Sequence, residues 1–219
     1  MAFVFVSALQ SSIRVGVVGA HGGLGREIIQ QTMSRGHHVI PFARRLDPVP
    51  FPVRRGWLSP DDESVPPIMN TTVLSSSTLP LPDLDAIVFA LSGKPFERDT
   101  TTKTVSEFCG HLPTSCRSVT LVSAWGVGDS IEKSNVGIRI MKDFYLKSTY
   151  SAKQEQEDIV SNLKDIHVHI LRPKVLSFSE IPFNTISTPR QVLARQILDS
   201  VEKDIGDFPK SSTLSDTEE

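Results

Sequence analysis

Three glycines at a spacing of three, Gly19, Gly22 and Gly25, carry the clearest chemistry in this sequence. They lie in Gly19-Ala20-His21-Gly22-Gly23-Leu24-Gly25, directly after the apolar run Ile13-Arg14-Val15-Gly16-Val17-Val18. Leu24, Ile28 and Thr32 follow at helical spacing. Strand, glycine turn and helix in that order form the context a phosphate cradle requires. Gly19 permits the tight turn, Gly22 lets the backbone approach a pyrophosphate, and Gly25 lets helix and strand pack closely. Backbone N–H groups at the helix start, aided by the helix dipole, then attract phosphate. Gly19, His21, Gly22, Gly23, Leu24 and Gly25 are therefore the first cofactor-binding candidates. The other reading is a glycine-rich strand-to-helix turn that holds no ligand.

The second site of chemistry is Arg44-Arg45, at the end of the next apolar segment. A site that prefers NAD places an acid near there, about 20 residues beyond the glycines, to bind the ribose 2′-hydroxyl. No acid falls between Gly36 and Arg45. A guanidinium offers a rigid fork of donors to phosphate, so this pair favours NADP(H) over NAD(H) through its 2′-phosphate.

These groups need a frame. Apolar segments predict strands at 13–18, 37–43, 71–74, 85–91, 118–123 and 167–172, the segment at 71–74 being weak and Pro41 removing one ladder donor from the second. Helices are expected at 23–34, at 101–112 with Val105, Phe108, Cys109 and Leu112 on one face, and at 189–201. A long helical region, broken in its middle, is expected from about 134 to 163. Alternating strands and helices predict an α/β fold, a Rossmann-type doubly wound parallel sheet in a single domain spanning 13–203. Residues 1–12 read as a leader or edge strand, 46–84 as an irregular segment, Pro-rich over 46–70, and 204–219 as a disordered polar tail.

In such a sheet, ligands lie beyond the carboxyl ends of the strands near the switch point. That rule adds Ala90, Leu91 and Ser92, then Ser123, then Pro173 to the cofactor-binding candidates. The Ser123 hydroxyl suits a hydrogen bond to a nicotinamide amide or a substrate carbonyl, which makes it a catalytic candidate too; alternatively it caps the following turn.

The totals set limits. With 219 residues, 39% hydrophobic and 22% charged, the chain suits one α/β domain with a substantial core. A net charge of −2 gives no general attraction to nucleic acid or anionic lipid. No stretch reaches a membrane span of about 18 apolar residues, so a cytoplasmic protein with no membrane partner is expected. Cys109 and Cys116 are read as reduced thiols rather than a disulfide. His167 and His169 share one strand face, but with no third ligand nearby they read as ordinary strand histidines and no metal is expected.

Taken together, the glycine turn, Ala43-Arg44, Asp85-Ala86-Ile87-Val88, Leu121 to Gly126 and Ile170-Leu171-Arg172-Pro173 resemble the atypical short-chain dehydrogenases/reductases. Within that group the chain is most similar to the compact NAD(P)H-binding, NmrA-like branch that includes flavin and biliverdin reductases. The resemblance covers about 13–203 and maps the branch's helical Lys and Glu onto Lys153 and Glu157. It also matches Thr188-Pro189-Arg190-Gln191 to a late helix start.

One departure bears on function. Catalytic members of the wider group carry Tyr-x-x-x-Lys; with Lys153 as that lysine, a second catalytic candidate, the tyrosine position is Thr149. A threonine hydroxyl is too weakly acidic to replace a phenol. Tyr150 is one residue off, about 100° around a helix. The resemblance therefore implies an NADP(H)-dependent oxidoreductase that passes hydride to a small conjugated acceptor such as a flavin or quinone, with Trp125 available to stack on it. The alternative is a non-catalytic redox sensor that binds the dinucleotide and regulates a protein partner. Sugar-nucleotide epimerisation is a third option, opposed by the short C-terminal part.

Overall fold

The computed structural model describes residues 12–43, 72–73, 80–91, 101–128, 147–177 and 187–207. Six strands form one parallel sheet: β1 (Arg14–Val18), β2 (His38–Ala43), β3 (Thr72–Val73), β4 (Ala86–Phe89), β5 (Ser118–Val122) and β6 (His167–Leu171). Their order is β3-β2-β1-β4-β5-β6, so the chain reverses direction across the sheet between β1 and β4. The helices are α1 (Gly23–Ser34), α2 (Thr101–Cys109), α3 (Lys147–Ser161) and α4 (Arg190–Asp207). This is the expected doubly wound Rossmann-type sheet.

The period-two geometry of strands explains how one chain fills both faces. Val15 and Val17 of β1, with Ala86 and Val88 of β4, pack with Ile28 and Ile29 of α1 and Leu193, Ala194, Ile197 and Leu198 of α4. Their neighbours Val18, Ile87, Phe89, Val119 and Leu121 face the other way, onto Val105 and Phe108 of α2 and Val160 of α3. Phe108 meets Phe42 and Phe89 edge to face, with centroids 5.1 and 6.2 Å apart, the geometry aromatic quadrupoles prefer.

Several expectations differ from the structure, α2 among them, which ends at Cys109 rather than at 112. A separate two-stranded parallel sheet, β7 (Val175–Ser177) on β8 (Ser187–Pro189), was not foreseen, because three-residue strands carry no readable period. Pro189 ends β8, so α4 starts one residue after it. At its other end α4 runs to Asp207, past both the expected helix end and the domain boundary at 203, which corrects the start of the predicted tail. The extra turn is docked: the buried Asp204 Oδ2 accepts bonds from Ser118 Oγ and His169 Nε2, both at 2.7 Å. The leader, residues 46–71, the helical expectation over 134–146 and the tail beyond 207 lie outside the described residues.

Candidate functional site

The glycine turn closes directly on the carboxyl end of β1. Gly19 has φ +97°, and its N–H and that of Ala20 donate to the Phe42 carbonyl at 3.0 and 3.1 Å. A side chain at Gly19 would meet the Ala90 carbonyl oxygen at 2.5 Å, since the Ala90 N–H donates to Val18 O at 2.8 Å beside it. At Gly25 an added Cβ would collide with the Gly19 carbonyl. The turn is thus shaped by backbone packed on backbone, with no room for side chains at these two positions.

Gly22 is the N-cap of α1, with extended φ −69° and ψ 153°. It provides no capping side chain, and the first turn of α1 carries no acid. The first N–H groups of a helix lack intrahelical partners, so this end presents donors and positive potential with no acid of its own first turn competing. His21 lies within the turn, its Nε2 buried and without a hydrogen-bond partner.

Around this end the topology gathers the other strand-end candidates. Ala90 and Leu91 follow β4, and Ser123 follows β5, its N–H donating to Leu171 O at 2.8 Å. The Ser123 side chain is buried, yet its Oγ has no hydrogen-bond partner among the described residues. A buried hydroxyl left in that state costs about 1–3 kcal/mol. Pro173 sits at the β6 end, its carbonyl accepting from the Trp125 N–H at 3.0 Å. Arg44, Arg45 and Ser92 lie outside the described residues, although β2 ends at Ala43, immediately before the two arginines.

α3 presents a polar face to the sheet. Lys153, Gln156 and Glu157 are all buried. Lys153 Nζ donates to the carbonyls of Leu91 and Val122, both at 2.9 Å, and to Gln156 Oε1 at 3.3 Å. Gln156 Nε2 reaches Thr101 Oγ1 at 2.6 Å. Glu157 takes Arg172 in a two-point pair, Nε to Oε1 at 3.0 Å and Nη2 to Oε2 at 2.7 Å. Sequence patterning did not reveal that face, because buried polar residues break the apolar period that marks a core.

Tyr150 follows the Thr149 position, and Tyr145 lies outside the described residues. Tyr150 donates its hydroxyl to the Trp125 carbonyl at 2.9 Å, and burial pushes its phenol above the ordinary value. Trp125 is half-buried, with Lys174 Nζ 5.7 Å from its ring centroid. On β6 His169 bonds Asp204, and the described residues contain no group of three or more metal-type side chains. A polar cavity of about 340 Å³ lies elsewhere, between α1 and α4 beside Gln31, Arg35 and Arg195, away from the chemistry at the glycine turn.

The residues present fit a dinucleotide. The turn leaves no space for side chains, α1 starts without a competing carboxylate, and Ser123 Oγ awaits a partner at the same edge. The comparisons agree. No curated protein matches the sequence. Among solved structures, the fold is similar to a protein of Streptococcus pneumoniae TIGR4 carrying the provisional name NADH-flavin reductase (15% identity, 88% of this chain and 94% of that one, TM-score 0.60). It is similar as well to ChuY, an anaerobilin reductase from Escherichia coli O157:H7 (15%, 85% and 89%, TM-score 0.58). A third is a Bacillus halodurans protein provisionally named an NAD-dependent epimerase/dehydratase (20%, 89% and 91%, TM-score 0.57). At these identities the likeness establishes the fold. No helix of the described residues is long and apolar enough to cross a membrane. The family described as NAD(P)H-binding matches residues 19–203, a span that takes in the glycine turn, every strand end around it and the polar face of α3, and the chain belongs to that family.

Proposed function

We propose that the protein is an NADP(H)-dependent oxidoreductase that delivers hydride to a small conjugated acceptor. The observation that carries the reading is the uncapped α1 start under the glycine turn, set at the sheet's reversal with Ser123 Oγ facing no protein partner. The N–H groups of the turn bind pyrophosphate, and Arg44 and Arg45 take the 2′-phosphate. The cofactor supplies a hydride when bound. Ser123 orients the nicotinamide or the acceptor by its hydroxyl, and Trp125 offers a flat wall.

The protein's contribution is binding and alignment. Tyr150 donates its hydroxyl to Trp125 O and Thr149 lacks a phenol's acidity, so among the described residues the usual acid/base pair has no counterpart. Aligning a donor with a flat acceptor can supply much of a rate by itself. The printed activities of the reductases above belong to those proteins and support this acceptor class by analogy.

The same displaced phenol favours a second reading, a redox sensor that binds NADP(H) and regulates a protein partner. Rapid-mixing assays of NADPH oxidation against flavins and quinones separate the two. Turnover with at least one acceptor supports the oxidoreductase. Tight NADPH binding with no turnover across the panel, and a captured partner whose binding follows the NADPH/NADP ratio, would establish the sensor instead.

A further inference from the structure

We propose that Lys153 is a positioning residue: its buried ammonium pins the carboxyl ends of β4 and β5 together and so fixes the wall of the cradle that faces the glycine turn. An ammonium is a donor only, and among the described residues Lys153 Nζ donates to Leu91 O, Val122 O and Gln156 Oε1. Two of these three acceptors are backbone carbonyls at strand ends.

The two carbonyls are significant by location. Val122 O belongs to the peptide unit that also carries the Ser123 N–H, so the bond to Lys153 holds Ser123 at its own backbone. Leu91 O lies one residue beyond Ala90, whose carbonyl oxygen stands 2.5 Å from where a Gly19 side chain would begin. The Ala90–Leu91 segment is therefore held between Gly19 on one side and Lys153 on the other. Gln156 extends the pin to Thr101 at the start of α2. Four elements thus share one buried cation at the edge where the strands end. Bonds to a charged donor are stronger than neutral ones, and burial strengthens them further.

The consequence for cofactor binding rests on the NADP(H) reading, but the pin itself does not. Two measurements keep them apart. In the protein without ligand, Lys153→Met should raise amide exchange at Ala90 and Ser123 by about tenfold while Val39 and Cys116 stay within about twofold. NADPH titration of the same variant should show affinity falling about tenfold, with the rate at saturating NADPH and its pH profile unchanged within about threefold. Lys153→Arg, which keeps the donors, should recover part of both losses. Should Lys153→Met fail to fold, Gln156→Leu should give the same local pattern at about threefold. Unchanged exchange at Ala90 and Ser123, or a uniform rise across the sheet, would overturn the pin. A rate loss of about a hundredfold with unaltered affinity, or a lost limb of the pH profile, would place Lys153 in the chemistry and overturn it as well. Absence of NADPH binding by the wild type would sink the NADP(H) reading alone, with the exchange data still deciding the pin.

Discussion

Ser123 and Gly25 make opposite demands on the fold, and each can be measured. Ser123 buries a hydroxyl with no partner, so Ser123→Ala should leave stability equal or raise it by up to about 1 kcal/mol while weakening cofactor binding or turnover by about tenfold. Thermal melts and NADPH titration on one sample test both; a clear loss of stability would mean that the hydroxyl has a structural partner. Gly25→Ala should differ by costing stability, since its methyl collides with the Gly19 carbonyl and the turn must shift. We expect a lower melting temperature together with lost NADPH affinity. The cysteines fill out the residue scale. Burial pushes the Cys109 thiol up to about 12 and the Cys116 thiol to about 11, so both stay protonated near pH 8. Native protein should react slowly with a thiol reagent and denatured protein quickly, whereas rapid native labelling would contradict the burial of Cys116 and the partial burial of Cys109.

At the scale of elements, both faces of the sheet carry an apolar cluster, and α3 adds buried polar groups to its apolar contact at Val160. Glu157→Ala removes the carboxylate from Arg172 and should cost about 3 kcal/mol in urea denaturation. At the opposite edge, Asp85 bonds Arg14 through both its side chain and its backbone N–H. Burial alone would raise the Asp85 carboxyl, but those bonds and the Arg14 charge hold it below its ordinary value. Its contribution is therefore whole at neutral pH and is lost as pH falls below about 4. With Arg14 half-exposed, screening keeps it under about 1 kcal/mol, and the destabilisation by Asp85→Asn should fade on melting at pH 3. The elements themselves show what a sequence reveals. β1, β4 and β5 were legible because central parallel strands are apolar on both faces, as in Val15 to Val18 and Ala86 to Phe89. The last turn of α4 was not, because Asp204 does a core residue's work with hydrogen bonds. The polar face of α3 was hidden for the same reason: Lys153 was visible through a resemblance, its carbonyl partners only in three dimensions.

For the whole molecule, the order β3-β2-β1-β4-β5-β6 brings residues far apart in sequence to one edge, Gly19, Leu91, Ser123 and Pro173 among them. That edge was foreseeable from the strand–helix alternation, since the switch-point rule names it before any coordinate is known. A ligand that binds only the folded state stabilises it by mass action, about 2.7 kcal/mol at a hundred times its dissociation constant. The direct test of the central claim is titration with NADPH and NADH, on the wild type and on Arg44→Ala/Arg45→Ala. The account predicts NADPH binding about tenfold or more tighter than NADH in the wild type, with the difference abolished in the double variant. Equal affinities in the wild type would remove the 2′-phosphate assignment, and binding of neither dinucleotide would contradict the account at its base.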